Sequence, residues 1–289
     1  MRRAIATSVL AAAVALGACR RPADTAPAPV ARDAAPERFD AAIADGDRAY
    51  VLRGDPARLE AALRAYALAA AQRPGDPVAE VRLARAEAFR GLAAPAPAAA
   101  RDGWEASARA AERALRSQAP SWAEAIDRGE DPAAAAARVD AAGAEALYFL
   151  AQGAMRTAQA TGYAAVLAVK DSALAMMARA AELDERVDAA GPHRALGAWR
   201  AILPTAAGGG TAASRAHFDR ARALAPDDQL APVAEAETWA VLVQDERRFD
   251  ALLDGVLAFD LGRDPARAPE NAIAKARAKE LLQRKARLF

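Results

Sequence analysis

Alanine occupies 90 of the 289 positions, and this abundance limits the fold of the chain more than any other feature. Alanine favours helices because its side chain loses no conformational entropy when the backbone becomes helical. Residues that favour strands are scarce, with five isoleucines, seven threonines and an aromatic content of 5%. We therefore predict an all-α protein. Because an alanine side chain buries little surface, a stable core needs many closely packed helices.

The N-terminal residues predict export. Two arginines precede an apolar run of 13 residues at positions 4–16. A helix needs about 20 apolar residues to cross a bilayer, so this run is too short. It fits instead the hydrophobic region of a secretory signal peptide over residues 1–18. The sequence Leu-Gly-Ala-Cys, which ends at Cys19, resembles the lipobox of bacterial lipoproteins.

Cys19 is the only cysteine of the chain, so no intramolecular disulfide can form. A lone thiol is reactive in an oxidising compartment unless it is capped. The lipobox resemblance implies that Cys19 is the lipid attachment site. An ordinary signal peptide, or an N-terminal helix, with an incidental cysteine remains the alternative. Arg20 follows Cys19 where an aspartate would imply retention at the inner membrane. The resemblance therefore implies an envelope lipoprotein that faces the periplasm, with the outer membrane favoured over the inner.

A tether is predicted over residues 19–38. Residues 20–36 contain four prolines and no large apolar side chain, a composition typical of extended linkers. At about 3.1 Å per residue, this segment would span roughly 50 Å. The folded body, residues 39–289, would then lie at some distance from the membrane.

The body is predicted to consist of helix pairs. Asp-Pro dipeptides at positions 55, 76 and 131 each place an N-cap carboxylate before a proline in the first helical turn. Two segments share a small–aromatic–small–proline pattern with spacings of 4, 3 and 5 residues. This pattern resembles the second helix of a tetratricopeptide (TPR) unit. We therefore predict TPR-like stacked antiparallel helix pairs, an α-solenoid-like fold, with an irregular helical bundle as the alternative. The packing residues of the pattern are Ala62, Tyr66, Ala69 and Pro74 in the first copy, and Ser214, Phe218, Ala221 and Pro226 in the second.

The sequence offers no catalytic constellation, and we predict a protein that is not an enzyme and needs no metal or cofactor. His193 and His217 are interpreted as isolated, without the spacing of a zinc motif. The glycines at 208–210 lack the lysine and preceding strand of a phosphate-binding loop, so we predict a turn between helices. The formal net charge of +1 gives no sign of nucleic-acid binding.

Four tryptophans stand out among so many alanines. We interpret each as a wedge in the core between helix pairs. The alternative is that some of them line a groove for a peptide, a partner helix or an apolar ligand. These residues are Trp104, Trp122, Trp199 and Trp239.

Residues 191–289 resemble the T-component (TatT) family of TRAP transporter systems. The resembling stretches include GPHRALGAWRAILPTAAGGG, SRAHFDRARALAPDDQLAPVAEAETWAV, DERRFDALLDGVLAFD and ENAIAKARAKELL. The lipobox, the tether and the TPR-like body fit the same family over nearly the whole chain. Thr211 stands where an acidic residue is expected, and the alanine-rich stretch 93–145 has no counterpart that we can name.

This resemblance implies a non-enzymatic protein of TPR-like helices that faces the periplasm. Its implied partner is a TRAP solute-binding protein, to which it would pass a small or hydrophobic ligand. Some members of the family form ring-like trimers, so a homo-oligomer is implied as well. The alternative hypothesis is a TPR-like lipoprotein scaffold for envelope or outer-membrane protein assembly. The sequence assigns no ligand-binding residues.

Overall fold

The computed structural model describes residues 34–289. Within that range the chain contains helices and no strand, which confirms the predicted all-α fold. A five-residue π-helical segment extends α11 over residues 236–240. The α-helices are α1 (Ala34–Val51), α2 (Pro56–Gln72), α3 (Pro77–Ala93), α4 (Pro97–Gln118), α5 (Pro120–Asp127), α6 (Pro132–Ala135), α7 (Ala144–Thr161), α8 (Tyr163–Leu183), α9 (Val187–Ile202), α10 (Thr211–Leu224), α11 (Leu230–Glu235), α12 (Glu246–Ala258) and α13 (Ala268–Gln283).

The Asp-Pro dipeptides begin helices α2, α3 and α6. Asp55 accepts a hydrogen bond of 2.8 Å from the amide of Ala57, and Asp76 accepts one of 2.9 Å from the amide of Val78. Each aspartate thereby satisfies an amide that has no partner within its helix. The proline that follows has no amide hydrogen to leave unpaired.

The helices pack as antiparallel pairs, which confirms the predicted stacking. The pairs are α1 with α2, α3 with α4, α7 with α8, α9 with α10, and α11 with α12. The long helix α4 also packs against α7. The alanine-rich stretch 93–145 therefore forms part of the core, where it contributes α4, α5 and α6 and buries Trp122.

Glycine and an aromatic ring meet where the TPR-like pattern occurs. A Cβ atom at Gly46 in α1 would overlap the ring of Tyr66 in α2. A Cβ atom at Gly197 in α9 would lie 3.0 Å from the ring of Phe218 in α10. The hydroxyl of Ser214 donates a 2.7 Å hydrogen bond to the carbonyl of Gly197. Small residues thus allow both pairs of helices to approach closely.

The other pattern residues lie in two environments. The alanines of the pattern are fully buried, whereas the prolines lie just beyond the ends of α2 and α10. Proline cannot continue a helix there because it lacks an amide donor. The buried alanines are Ala62, Ala69 and Ala221, and the prolines are Pro74 and Pro226.

The C-terminal helix α13 contacts the N-terminal part of the fold. Helix α13 packs on α11 and α12 and also contacts α3. Just beyond α1, the Nε atom of Arg53 donates a 2.8 Å hydrogen bond to Glu270 in α13. Pro269 lies against Gly54 in the same region. The helix pairs consequently form a closed arc rather than an open superhelix.

The described structure begins inside the predicted tether. Helix α1 starts at Ala34, so residues 34–38 are helical rather than extended. The predicted signal peptide over 1–18 and the lipid attachment site Cys19 lie outside the described residues.

Candidate functional site: a central cavity

A cavity of about 600 Å³ lies inside the closed arc. Its walls come from the first helix of each pair, namely α1, α3, α7, α9 and α11, together with α13 and Trp104 of α4. The volume falls within the range of about 300–1,000 Å³ that is typical of small-molecule sites. The arc thus places one face of each inner helix around a common space.

Aromatic side chains form much of the apolar wall. Trp104 and Trp199 are 7% and 2% exposed, and both line the cavity. These two tryptophans are therefore buried core residues, as predicted, and they also line the cavity, which was the alternative interpretation. Trp122 is buried elsewhere, and Trp239 is half-buried, with its indole nitrogen 2.9 Å from the carbonyl oxygen of Thr211. The aromatic lining residues are Tyr50, Phe89, Trp104, Phe149 and Trp199.

Ion pairs that reach the cavity join α9 to Arg267, which immediately precedes α13, and to Asp228, which lies between α10 and α11. The carboxylate of Asp188 accepts hydrogen bonds of 2.8 Å from both Arg194 and Arg267, and one of 2.7 Å from the Tyr148 hydroxyl. Asp228 accepts from the same two arginines, at 3.1 and 2.6 Å. We call Tyr148, Asp188, Arg194, Asp228 and Arg267 the ion-pair network.

The electrostatics of Asp188 result from two opposed effects. Burial by itself would raise the pKa of the Asp188 carboxyl because it disfavours the charged form. The positive charges of Arg267 and Arg194 outweigh burial and hold that pKa below its ordinary value. Asp188 therefore remains ionised and keeps both guanidinium groups in place.

The ion-pair network surrounds a left-handed turn at the start of α9. Asp188, Ala189 and Ala190 have φ angles of 47°, 54° and 59°. Such a conformation costs roughly 1–2 kcal/mol per residue for residues that carry a Cβ atom. Arg194 donates to the carbonyl of Asp188 at 3.3 Å, so side chains hold the backbone of the turn as well. A strained backbone of this kind persists when contacts from the surrounding residues hold it in place.

One stripe of α7 faces the cavity with polar groups. Phe149, Gln152, Arg156 and Gln159 follow each other at spacings of 3, 4 and 3 residues, which places them on one helix face. We call Gln152, Arg156 and Gln159 the α7 stripe. Within residues 34–289, none of these three side chains has a hydrogen-bond or ion-pair partner.

Arg156 differs from the other charged side chains of the cavity wall. Its side chain is exposed and borders the cavity. Burial lowers the pKa of its guanidinium, which nonetheless stays charged. Its Cζ atom lies 5.7 Å from the centre of the Trp104 ring. This distance is within the range of a cation–π contact.

The remaining charged side chains of the wall all have opposite charges as partners. Arg85 pairs with Glu145, Arg277 with Glu237, and Glu270 with Arg53. Asp188 and Arg194 belong to the ion-pair network. The wall contains four arginines and three carboxylates, which leaves one excess positive charge. Arg156 is the wall arginine that has no carboxylate partner within residues 34–289.

The interpretation of the two histidines as isolated is wrong. The Nδ1 atoms of His193 and His217 lie 3.0 Å apart, because the α9–α10 hairpin brings facing positions together. Burial, His193 and Arg200 lower the pKa of His217 to about 4. Burial also lowers the pKa of His193, against the opposing effect of Glu185. At neutral pH the pair is therefore uncharged, and one ring can donate to the other.

The glycine loop at 208–210 forms a turn between α9 and α10. The amide of Gly210 donates to the carbonyl of Arg200 at 2.9 Å, and Arg200 donates back to the carbonyl of Gly208 at 3.0 Å. Gly208 has a φ of 87°, which favours glycine. The loop thus uses its polar groups internally.

Between positions 34 and 289, no group of three or more histidine, cysteine, aspartate or glutamate side chains could hold a metal ion. No helix in this part of the chain is long and apolar enough to span a membrane.

A closed arc of stacked helix pairs around a partly polar cavity defines a helical-repeat protein. Comparison with protein families identifies the particular family: residues 54–289 match the TRAP transporter T-component family. The chain therefore belongs to this family and is a component of a TRAP transport system, as its resemblance predicted. Comparison with curated proteins gives no match.

Sequence analysis did not predict the α7 stripe or the ion-pair network. A signal for the stripe is present, because two glutamines and an arginine occur at helical spacing in a helix whose remaining residues are mostly apolar. No comparable signal identifies the ion-pair network, whose members lie up to 119 residues apart, from position 148 to position 267.

Proposed function

We propose that this T-component is a lipid-anchored protein that faces the periplasm, docks a TRAP solute-binding protein and holds a small, partly apolar ligand in its central cavity. The observation that carries the proposal is the family match over residues 54–289, which contains all but one of the cavity-lining residues. Tyr50 is the exception, and it precedes the matched region by four residues. The protein would act by binding rather than by catalysis.

The composition of the cavity wall supports ligand handling. Sites for small molecules are concave and mostly apolar, with a few polar groups that orient the ligand. Aromatic rings supply the apolar surface here, and the α7 stripe supplies polar groups without internal partners. A solute-binding protein docked on the arc would exchange ligand with this space.

The anchor is the N-terminal part of the proposal. Diacylglyceryl attachment at Cys19 would hold the body near the outer membrane, with residues 20–33 as the spacer before α1. Radiolabelled palmitate should be incorporated into the native chain in a bacterial host and lost in Cys19→Ser. Equal incorporation in both chains would contradict lipidation at Cys19.

Docking is tested by co-purification. The full chain, tagged at its C-terminus, should recover a TRAP solute-binding protein from an envelope extract of the source organism. Light scattering on the purified chain tests whether it forms the homotrimer that the family resemblance implies. Recovery of barrel-assembly or cell-wall proteins without a solute-binding protein would overturn docking and favour the envelope-scaffold alternative.

A further inference from the structure

The turns within the last helix pairs and the C-terminal segment form one continuous edge of the arc. The indole nitrogen of Trp239, in the π-helical segment, lies 2.9 Å from the carbonyl oxygen of Thr211, at the start of α10. The side-chain amide of Gln244, in the turn before α12, donates a 3.2 Å hydrogen bond to the carbonyl of Leu288, beyond α13. These contacts join three stretches of the chain into one surface. We call residues 199–214, 239–248 and 279–289 the basic edge.

Positive charge is concentrated on the basic edge. Seven basic and three acidic side chains belong to it, whereas the whole chain has a formal net charge of only +1. Each of the three acids already has a partner within the described chain. The partnerships are Glu246 with Lys285 at 2.8 Å, Glu280 with Arg277 at 2.7 Å, and Asp245 with the amide of Arg248 at 2.9 Å. The edge therefore presents positive charge to its surroundings.

Four cations of the basic edge are exposed, and their side chains have no hydrogen-bond or ion-pair partner in residues 34–289. They are Arg247, Lys279, Arg284 and Arg287. A cation without a protein partner is available to an anion outside the chain. The negative surface potential of an anionic bilayer attracts basic residues that come close to it.

Apolar side chains are exposed on the same edge. Ile202 is 45% exposed, Leu242 is 52% exposed and Val243 is 36% exposed. Trp239, which is half-buried, lies in the segment just before Leu242. Tryptophan is enriched where proteins meet the headgroup region of a bilayer. Exposed apolar groups beside cations are typical of surfaces that lie in this region, with the cations on the anionic headgroups.

The spacer before α1 brings a bilayer within reach of the edge. Residues 20–33 separate the proposed lipid at Cys19 from α1, which starts at Ala34. Extended at about 3.1 Å per residue, this spacer spans roughly 40 Å. A tether of this length keeps the body at a high local concentration beside the membrane, so a weak surface contact is sufficient to orient it.

We propose that the basic edge docks on the surface of an anionic phospholipid bilayer. Arg247, Arg284 and Arg287 contact the lipid headgroups, and the Leu242–Val243 turn enters the interfacial layer. This inference rests on the lipid-anchored part of the proposed function, because the anchor supplies the bilayer. Palmitate incorporation tests the anchor separately, so failure of the docking surface is distinguishable from failure of the anchor.

Vesicle flotation measures this docking directly. The protein is residues 19–289 with Cys19→Ser, which is the chain expected after removal of the signal peptide and lacks the proposed lipid. One set of vesicles is phosphatidylcholine, and the other contains about 30 mol% of the anionic lipid phosphatidylglycerol. We expect partition onto the anionic vesicles to be stronger by about tenfold or more. The preference should disappear in about 0.5 M salt, because counterions screen the surface charge.

Charge variants assign the preference to the basic edge. The double variant Arg284→Gln, Arg287→Gln should lower partition onto anionic vesicles by about tenfold or more, because it removes two headgroup contacts. The matched control is Arg58→Gln, Arg64→Gln. Both of these arginines are exposed on α2 and have no ion-pair partner in residues 34–289. The control changes the net charge equally and should partition as the parent chain does.

An apolar pair of variants tests the contact with the interfacial layer. Leu242→Gln should lower partition by about threefold, since it removes an apolar group from that layer. Leu68→Gln is the control, because Leu68 is similarly exposed but lies on α2. It should leave partition unchanged. Circular dichroism checks that each variant remains folded.

Several outcomes would overturn the docking surface. These are absence of binding, equal partition onto the two kinds of vesicle, or an equal loss in the α2 control and the edge variant. If the parent chain ignores vesicles and the edge variant loses a co-purified solute-binding protein, a protein rather than a bilayer covers the edge. Incorporation of palmitate at Cys19 would stand in each of these cases, so the anchor is supported or rejected independently.

Discussion

The ion-pair network and the α7 stripe border the same cavity but satisfy their charges in opposite ways. In the network, Asp188 and Asp228 each bond to both Arg194 and Arg267, so every charge has two partners. In the stripe, Arg156 has no partner within residues 34–289. This difference shows that a charged side chain in the cavity wall is not by that fact a ligand-binding residue. Charged side chains that are all paired with one another hold the fold together, whereas a charged side chain without a protein partner is available to a ligand.

Removal of Asp188 should produce the largest effect. Asp188→Ala leaves Arg194 and Arg267 with an uncompensated buried charge and frees the left-handed turn. We expect the free energy of unfolding to fall by about 3–5 kcal/mol. Urea unfolding followed by circular dichroism measures this loss. Asp171→Ala is the control, because Asp171 is exposed and should change stability by less than about 0.5 kcal/mol. A comparably small loss for Asp188→Ala would mean that the network does not stabilise the arc.

As the pH falls, the α9–α10 hairpin should lose stability before the ion-pair network does. The folded-state pKa of His217 is about 4, below the ordinary 6.5, so the unfolded chain binds more protons between these values. Stability is therefore fully present above pH 6.5 and falls as the pH drops towards 4. Because the ring is half-buried and screened by solvent, we expect a loss of about 1 kcal/mol.

The control for this pH dependence is His217→Gln, which should flatten the slope between pH 6.5 and 4. Asp188 behaves differently, because its lowered pKa keeps it charged through this window. Its contribution is lost only below the ordinary aspartate pKa of 3.8, as the pH falls towards the folded-state value. An unchanged slope in His217→Gln would assign the mild-acid loss to other groups.

A smaller effect should come from strain in the left-handed turn. Ala189 has a φ of 54°, where an alanine costs roughly 1–2 kcal/mol and a glycine costs little. Glycine also gains entropy in the unfolded chain, which opposes this relief. We therefore expect Ala189→Gly to stabilise the protein by about 0.5–1 kcal/mol in urea unfolding. Ala175→Gly, in the middle of α8, should destabilise by a similar amount. The same sign for both variants would contradict strain at Ala189.

The fold was predictable because its determinants are local. Abundant alanine predicts helices, and the aspartates at 55 and 76 predict where two of them begin. The close approach of Gly197 to Phe218 follows from a repeated small–aromatic pattern within one hairpin. In each case the informative residues lie within a few helical turns of each other.

The site depends on contacts that local patterns do not contain. Arg53 and Glu270 are 217 positions apart, and their ion pair helps to close the arc that makes the cavity. The left-handed turn occurs at Asp188, Ala189 and Ala190 without any glycine to mark it. The pairing of His193 with His217 requires the relative rotation of two helices. Only the α7 stripe has a local pattern, and its meaning depends on which face the arc turns inwards.

The smallest expected effect gives the most direct contrast with the network. Arg156 has no hydrogen-bond or ion-pair partner within the described chain, so Arg156→Met removes a partly desolvated charge and gives up only the cation–π contact with Trp104. We expect the ligand-free protein to gain about 0.5 kcal/mol in urea unfolding, opposite in sign to Asp188→Ala. Arg109→Met controls for loss of a surface charge. A loss above about 1 kcal/mol in Arg156→Met would place Arg156 among the structural charges. A gain would mean that the chain keeps a destabilising cation in its cavity, which is the cost expected of a residue retained for binding.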